Sequence, residues 1–323
     1  MKLNPIFVKH LPFFKAGRIL MVASNLLILS LTTTTGQERL DLLTISGRYA
    51  TPQSYDSTYN GNGQEGGIMT SLVAPVVFES GTIWYNGLTH FYWNVNGEES
   101  ISNNYANNYK LHGIILRTGL YKKYDNGTGF QLIFSPRLMS DMQNISGNSF
   151  QLGGMALYEK IYNDNLTVSY GALYNQELFG PYLVPLVNLK WKISNYWSIS
   201  GLLPIYAKIK YQKTEKFSAG ISHFGLITSY DLGNEKYAND YIQRSSIDLG
   251  LFGRYQLAGN LFIEGRIGHT FGRSYEQYSK DDKVKFAIPL VAFGDNRKLK
   301  NVVFKDGVIA SFRLVYAIQL PED

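Results

Sequence analysis

From about residue 40 onward, apolar and polar side chains alternate along the chain with a period of two. The segment 166–175 shows the pattern clearly, and its apolar positions are Leu166, Val168, Tyr170, Ala172 and Tyr174. The same alternation runs through 197–211, 245–257 and 311–320. Because successive side chains of a β-strand point to opposite faces, this period predicts strands with one apolar and one polar face.

The predicted strands suit a membrane better than a soluble sheet. They run about 10–15 residues, whereas soluble strands are mostly about 5–6 residues long and a tilted strand needs about 9–11 residues to cross a bilayer. Charged residues in the strand cores fall on the polar face, which avoids the cost of about 2–4 kcal/mol of placing Lys or Arg at the lipid midplane. Aromatic residues near strand ends suit interfacial girdles, and examples are Trp84, Trp93, Trp191, Trp197, Tyr182 and Tyr211. A soluble β-sandwich alternates in the same way but usually has shorter strands. The pattern therefore favours an all-β fold, a transmembrane antiparallel up-and-down β-barrel.

The number of strands depends on how the connections are assigned. Outer-membrane barrels have an even strand number, short periplasmic turns and longer outer loops. We predict strands near 40–50, 66–77, 82–94, 109–121, 128–139, 149–159, 165–175, 181–193, 196–211, 243–257, 260–273 and 307–320. Long polar connections (51–65, 95–108 and 140–148) alternate with short ones such as Glu79-Ser80-Gly81. With the turn Ala258-Gly259-Asn260 in the periplasm, 212–242 and 274–306 become outer excursions and the barrel has about 12 strands. If 217–230 and 284–292 also cross, it has 14; the loop rule favours 12.

The first 36 residues have the composition of a secretory signal peptide. Residues 1–18 are basic, Ile19–Leu31 are mostly apolar, and Thr32–Gly36 supply small residues before a cleavage site after Gly36. A spanning helix would need about 20 apolar residues. We therefore predict a signal peptide over 1–36 and an outer-membrane β-barrel domain over 37–323.

Composition excludes several classes of function. Only 17% of the residues are charged, against about 25% in soluble domains, while 14% are aromatic and none is cysteine. Disulfides, cysteine ligands and thiol nucleophiles are therefore absent. The formal charge of +6 includes four basic residues of the N-terminal segment, so residues 37–323 carry only about +2, which gives no indication of nucleic-acid binding.

Motifs for catalysis or cofactor binding are weak. Gly61–Gly66 match GxGxxG but do not lie between a strand and a helix, so we interpret them as an outer loop. The five histidines show no HExxH spacing, no GxSxG elbow is present, and Asp125–Gly129 suit a hairpin turn better than a calcium loop. His90 alternates with Asn86 and Asn94 and is expected to face the lumen. We predict no catalytic, cofactor-binding or metal-binding residue and no enzyme activity; a lumenal hydrolase is the less favoured alternative.

Charged residues on the polar strand faces are the remaining candidate site. The predicted lumen-lining residues are Arg48, Arg117, Arg137, Lys190, Lys208, Arg244, Asp248, Arg254, Glu264, Arg266 and Arg313. The excess of basic residues favours anions, because like charges in a narrow tube focus the electric field. Alternatively, Arg244, Arg266 and Arg313 neutralise Asp248 and Glu264 and brace a filled interior.

Several stretches resemble a family of outer-membrane β-barrels of unknown function from Bacteroidota. They are Leu42–Tyr49, Leu72–Pro75, Thr82–Leu88 and the final strand. The resemblance implies an outer-membrane location in a Gram-negative bacterium, with membrane lipid and the barrel-assembly machinery as partners, and it supplies no catalytic residues. The chain departs from the usual terminal aromatic, since Pro321-Glu322-Asp323 follow Leu320, so Phe312 and Tyr316 are left as the assembly signal.

Three functions are compatible with these observations. The favoured one is a pore or binding barrel for a small solute, with a preference for anions. The second is a structural or surface-interaction barrel that binds a partner through loops 51–65, 95–108, 212–242 and 274–306, which are rich in Tyr and Asn. The third is the lumenal hydrolase.

Overall fold

The computed structural model describes residues 39–55, 59–97 and 108–319, and these form one antiparallel barrel of 14 strands with a few short additional strands. The strands are β1 (Arg39–Ala50), β2 (Asn62–Val73), β3 (Ile83–Asn96), β4 (Tyr109–Lys123), β5 (Thr128–Phe134), β6 (Gly153–Asn163), β7 (Leu166–Glu177), β8 (Gly180–Lys192), β9 (Trp197–Leu203), β10 (Tyr206–Tyr211), β11 (Phe217–Asp231), β12 (Asp240–Ala258), β13 (Leu261–Ser279) and β14 (Val308–Gln319). Each strand pairs with the next, and β14 pairs with β1 to close the ring. The predicted signal peptide lies outside the described residues. The described residues form no helix that is long and apolar enough to cross a membrane.

The preferred count of 12 strands was wrong, and the alternative of 14 is confirmed. One additional strand arises because the predicted strand 196–211 is a hairpin, β9 and β10, in which Leu202 pairs with Tyr206 and Trp197 with Tyr211. Three residues separate Leu202 from its partner Tyr206, so the turn does not change whether odd or even positions face outward. Odd-numbered residues of both strands therefore share one face, and the turn leaves no break in the pattern.

The other additional strand is β11, which crosses the barrel within the predicted excursion 212–242. The segment 284–292, by contrast, does not cross. It forms two short strands, Phe286–Ile288 and Val291–Phe293, that pair with each other, and Ala287 lies beside Tyr182 on the edge of β8. The β9–β10 hairpin is shorter than β8 and β11. Because β9 pairs only with residues 187–192 of β8, the loop-end part of that edge of β8 is not paired with β9. The short strands occupy that place.

The two ends of the barrel differ. The first residue of β1 and the last residue of β14 lie at one end, together with the connections 74–82, 124–127, 164–165, 193–196, 212–216 and 259–260. We call this the turn end. The opposite loop end carries the longer connections 51–61, 97–108, 141–152, 232–239 and 280–307, and also two tight ones, 178–179 and 204–205. Ala258-Gly259-Asn260 therefore lies at the turn end in the barrel of 14 strands as well.

The outer surface is apolar, as the alternation predicts. Exposed residues on the outer faces of the strands include Ile45, Leu72, Leu88, Leu116, Leu132, Val187, Ile221, Leu251, Ile267 and Phe312. Near the turn end many of the exposed outer residues are aromatic, among them Trp84, Phe130, Tyr158, Tyr170, Trp191, Trp197, Phe217 and Tyr255. An apolar band with an aromatic belt at its margin is typical of a barrel that crosses a membrane. The prediction that Trp93 and Tyr182 belong to a girdle was wrong, since both are buried inside the barrel.

The interior of the loop half is filled by packed side chains. One buried cluster includes Phe91, Trp93, Leu111, Tyr230 and Tyr275. A second lies between β6–β8 and the loop-end parts of β11 and β12, and it contains Leu157, Phe179, Tyr182, Val184, Tyr241 and Val284. The barrel is therefore occupied near the loop end by apolar side chains rather than by an open channel.

Candidate functional site: the barrel lumen

Hydrogen bonds between strands that are not neighbours identify the side chains that face the lumen. Trp93 on β3 donates from Nε1 to the hydroxyl of Tyr230 on β11 at 2.9 Å, although these strands are six positions apart around the ring. Such a contact can form only across the interior. Most of the charged contacts described next also join strands that are two or more positions apart. The others share a residue with such a contact, so all of them lie in the lumen.

The first charged network is centred on Glu65 of β2, whose side chain is fully buried. Its carboxylate accepts hydrogen bonds from Arg48 Nε at 2.5 Å, from Arg244 Nη2 at 3.2 Å and from the Tyr275 hydroxyl at 2.6 Å. Arg48 also pairs with Asp248. Arg244 stacks on the Trp93 ring, with its guanidinium carbon 3.9 Å from the ring centroid. One carboxylate thus joins β1, β2, β12 and β13.

The second network lies towards the turn end and contains Glu264, Lys208, Arg313, Asp41 and Arg254. Glu264 on β13 accepts from Lys208 Nζ and from Arg313 Nη1, both at 2.7 Å. Asp41 on β1 binds Arg254 through two hydrogen bonds of 2.8 and 3.1 Å. Lys208 on β10 is three strands from Glu264 on β13, and Arg254 on β12 is three strands from Asp41 on β1. Both pairs therefore cross the interior.

The third network closes the lumen near the loop end. Glu177 on β7 pairs with Arg137 Nη2 at 2.9 Å and accepts hydrogen bonds from the backbone N–H of Ser229 at 2.8 Å and from its hydroxyl at 2.7 Å. Gln151 Nε2 donates to the carbonyl of Ser229 at 2.9 Å. Asp231 lies beside Ser140 in a parallel pairing. We call Ser140, Gln151, Glu177, Ser229 and Asp231 the loop-end seal.

Asp231 also anchors the neighbouring loop. It accepts hydrogen bonds from the hydroxyls of Ser146 at 2.8 Å and Ser149 at 2.7 Å, and it pairs with Lys280. Ser146 caps the short 3-10 helix Gly147–Ser149, so this capping residue and Ser149 tie the loop to β11. The seal is therefore continuous with the ordered loops above it.

The segment 280–307 is fixed over the loop end by Arg297. Its Nη1 donates to Gln243 Oε1 at 2.7 Å and to the Tyr241 hydroxyl at 3.1 Å, and its Nη2 pairs with Asp295 at 2.8 Å. The hydrogen bond from Arg297 lowers the pKa of the Asp295 carboxyl. Asp295 and Arg297 lie in the connection between β13 and β14, so these contacts tie that connection, with its two short strands, to the loop-end part of β12.

Eight of the predicted lumen residues take part in these ion pairs: Arg48, Arg137, Lys208, Arg244, Asp248, Arg254, Glu264 and Arg313. The interpretation that basic residues neutralise acids and brace the interior fits these contacts better than a tube of unpaired arginines does. Of the expected pairs, Arg313 does pair with Glu264, whereas Arg244 pairs with Glu65 and Asp248 pairs with Arg48.

Three predicted residues remain. Lys190 is exposed on β8, near the turn end and on the same face as Tyr182. Arg266 lies on β13 two residues from Glu264, and its Nε is buried without a hydrogen-bond partner among the described residues. Arg117 on β4 donates from Nη1 to Thr89 Oγ1 at 2.8 Å. Within the described part of the chain neither Arg117 nor Arg266 forms an ion pair.

Sequence reasoning missed three lumenal carboxylates, Asp41, Glu65 and Glu177. Glu65 was assigned to the loop 51–65, but β2 begins at Asn62 and most of the GxGxxG segment is a strand rather than a loop. Asp41 lies next to an irregularity in the register of β1 that breaks the alternation. Glu177 is the last residue of β7, two residues beyond the predicted strand end.

The expectation that His90 faces the lumen was wrong. Its neighbours Thr89 and Phe91 are buried inside, so His90 lies on the outer face, where its Nε2 is 3.3 Å from His112 Nδ1. The described residues contain no group of three or more His, Cys, Asp or Glu that could hold a metal ion. The absence of enzyme activity and partner binding through the outer loops both stay predictions.

The turn half of the lumen retains open space. Tyr206 of β10 shares the inward face with Lys208, yet 47% of its surface is exposed. Ser200 and Lys190 are also exposed on inward faces nearer the turn end. We call the space bordered by Arg117, Lys190, Ser200 and Tyr206 the turn-side chamber. Lys190 and Ser200 are exposed on its turn-end side, and the seal and the apolar clusters lie towards the loop end.

A closed antiparallel ring with an apolar exterior and a charged interior defines a transmembrane β-barrel. Residues 88–293 match the family described as Domain of unknown function (DUF6268), and the chain belongs to this family. No curated protein matches the chain.

Similar solved structures are outer-membrane barrels at low sequence identity. An outer-membrane channel from Pseudomonas putida F1 is 9% identical, with 90% of this chain and 100% of that chain covered and a TM-score of 0.44. A deletion mutant of the TodX monoaromatic hydrocarbon channel is 10% identical, with 86% and 90% covered and a TM-score of 0.38. A FadL homologue from Pseudomonas aeruginosa is 10% identical, with 85% and 89% covered and a TM-score of 0.29.

Proposed function

We propose that this protein is an outer-membrane channel that passes a small solute through its lumen and that the loop-end seal is its gate. The observation that carries the proposal is the division of the interior: a polar chamber with exposed side chains on its turn-end side and a loop half that is closed by side-chain contacts. Barrels of about eight strands are filled by their side chains, whereas barrels of sixteen or more enclose a water channel. A ring of 14 is wide enough to conduct once the filling residues move.

An outer-membrane location is supported by the exterior of the barrel. The apolar band suits the lipid, and the aromatic belt suits the interface on the turn side. Bacterial barrels have short periplasmic turns and longer extracellular loops, so in this proposal the loop end faces the outside of the cell. Membrane lipid and the barrel-assembly machinery are the partners that this location implies. Origin in the Bacteroidota stays a prediction of the sequence resemblance.

The loop-end seal has the contacts expected of a gate. Pairing of β10 with β11 ends at Tyr206 and Phe224, so β10 does not cover the edge of residues 225–231. Side chains such as Glu177 and Gln151 and the single pairing of Asp231 with Ser140 hold this edge instead. Residues 225–231 pair with β12 along their other edge, and a segment with backbone pairing on one edge opens at lower free-energy cost than a strand paired on both edges. The end of β11 can therefore move while the rest of the ring stays closed.

Replacing Glu177 with glutamine should increase the fraction of time that the channel is open. The substitution removes the ion pair to Arg137 and weakens the bonds to Ser229. We expect rare openings of the wild-type protein in planar lipid bilayers, and at least about tenfold more frequent openings of the variant for a loss of about 1.4 kcal/mol. Glu159→Gln is the matched control. Glu159 also faces the lumen and accepts a hydrogen bond of 2.5 Å from the Tyr121 hydroxyl, but it is not part of the seal.

A reversible lock tests the same gate without depending on Glu177. The chain contains no cysteine, so Ser140→Cys with Asp231→Cys introduces one pair at neighbouring positions. Oxidation should abolish the openings and a reductant should restore them. A folded Glu177→Gln protein with wild-type openings, together with conductance that survives oxidation, would reject the gate. If neither protein conducts, the channel proposal is wrong.

The channel should prefer anions, and Arg117 should carry most of the preference. Arg117→Gln is expected to lower the anion-to-cation permeability ratio at least about fivefold, because one charge about 4 Å away in a water-like dielectric attracts an anion by roughly 1 kcal/mol and also repels a cation. The control removes the Asp41–Arg254 pair as a unit, with Asp41→Asn and Arg254→Gln, so that the net charge is unchanged. Reversal potentials in a salt gradient measure the ratio. Cation preference in the wild type, or no shift with Arg117→Gln, contradicts the expectation.

A further inference from the structure

Arg117 lies in the lumen near the middle of β4, and its side chain is neutralised by no carboxylate in the described part of the chain. Its one hydrogen bond there runs from Nη1 to Thr89 Oγ1 at 2.8 Å. The edge formed by Nε and Nη2 is left to bind a ligand. A guanidinium edge with two parallel N–H groups matches the two oxygens of a carboxylate.

Tyr85 brings a phenol to the same place. In the β3–β4 pairing, Arg117 lies directly opposite Gly87. The Tyr85 hydroxyl lies over Gly87, 3.1 Å from the position that a Cβ of residue 87 would occupy. A side chain at position 87 would be in tight contact with the Tyr85 ring, which would have to shift by a few tenths of an ångström to make room. The Tyr85 hydroxyl therefore lies over the residue that pairs with Arg117, on the same inward face of the wall.

Tyr206 approaches from the opposite wall. It lies on β10, six strands from β4 around the ring, and it faces the lumen from there. Of Arg117, Tyr85 and Tyr206, Tyr206 is the most exposed residue, with 47% of its surface accessible.

From this arrangement we infer that Arg117, Tyr85 and Tyr206 form a constriction that binds a small organic carboxylate on its way through the lumen. The inference rests on the proposed function, because it names the class of solute that the channel selects. Arg117 supplies the charge and two parallel donors, and the two phenols donate to the oxygens from opposite walls. The rings flank the ligand and favour a carboxylate with an apolar body over a fully hydrated inorganic anion.

Calorimetric titration of the detergent-solubilised full barrel tests the site without requiring the gate to open. Benzoate is the carboxylate probe, benzamide is its neutral analogue of similar shape, and inorganic phosphate is the competing oxyanion. We expect benzoate to bind and benzamide and phosphate to bind at least about tenfold more weakly, since only benzoate combines charge with an apolar body. Phosphate binding as strong as that of benzoate would overturn the carboxylate assignment.

Substitutions assign the binding to the three residues. Arg117→Gln should weaken benzoate binding at least about tenfold, and Tyr206→Phe or Tyr85→Phe about three- to tenfold through loss of one hydrogen bond. Arg117→Lys keeps the charge without the parallel donors, so it should retain anion preference in bilayers but lose the benzoate affinity. Arg254→Gln should bind benzoate like the wild type, because Arg254 is already paired with Asp41.

The outcomes separate the site from the channel. Benzoate binding that depends on Arg117 in a protein that never conducts would reject the channel and keep the site. Conductance in a protein that binds no benzoate, or that binds it equally well after Arg117→Gln, would reject the site and keep the channel. Heat-modifiable migration on SDS gels shows that each variant is folded.

Discussion

Replacing Glu65 with alanine should lower the free energy of unfolding by about 3–5 kcal/mol, the usual effect of removing one partner from a buried charge network. Glu65 is fully buried and accepts from Arg48, Arg244 and Tyr275. Arg48 keeps Asp248, but Arg244 loses its carboxylate while its side chain is only 1% exposed. Urea unfolding of the barrel in lipid vesicles, followed by tryptophan fluorescence, measures the loss.

Asp41→Ala is the matched control for Glu65. Asp41 also joins two arginines, Arg254 and Arg313, but 29% of its side chain is exposed. We expect a loss of only about 0–1 kcal/mol, because water screens and replaces such contacts. Glu65→Gln keeps the shape of the side chain and part of its hydrogen bonding, so its loss of unfolding free energy should lie between those of Glu65→Ala and Asp41→Ala. Equal losses for Glu65→Ala and Asp41→Ala would contradict the buried network.

Leu251→Arg should lower the free energy of unfolding of the barrel by about 2–4 kcal/mol, the cost of placing an arginine side chain at the lipid midplane. Leu251 lies on the outer face of β12 and is 62% exposed. It is four residues from Tyr255 of the aromatic belt, or about 13 Å along a strand that rises about 3.3 Å per residue. With the tilt of a barrel strand this places it near the centre of an apolar band about 25 Å tall.

Leu257→Arg gives the comparison at the interface. Leu257 is on the same face of the same strand, at the margin of the belt, and arginine there should cost about 0–1 kcal/mol because its head reaches the water. Unfolding in vesicles of uniform lipid measures both variants. Two equal small losses would mean that the outer face of β12 is not embedded, and the transmembrane assignment would be wrong.

The outer face was predictable because each lipid-facing residue meets the same environment. Lipid requires an apolar side chain whichever strand carries it, so the alternation in 166–175 or 245–257 defines the face without knowledge of neighbours. The same rule misassigned Trp93 and Tyr182, which are apolar residues buried inside the barrel. The alternation shows that two faces exist, but it cannot distinguish lipid from a packed interior.

The charged site was predictable only in part. Arg48, Arg244 and Arg313 were recognised as inward because they lie in well-formed strand patterns. Glu65 and Glu177 were not, since each lies near a loop-end strand terminus where the alternation is short. Most partners could not be assigned from the sequence. The Arg244–Glu65 pair joins residues 179 positions apart in the chain, and no local pattern encodes that distance.

The sequence by itself determined that the chain forms a membrane barrel, which faces of the strands meet lipid, and that the interior is rich in charge. These properties follow from the alternation of neighbouring side chains and from the uniform demand of the lipid. Only the tertiary structure decided that there are 14 strands, because the β9–β10 turn leaves the alternation in phase. Closure of the ring likewise decided which charges neutralise each other and left Arg117 opposite Tyr206, because it brings distant strands across one lumen.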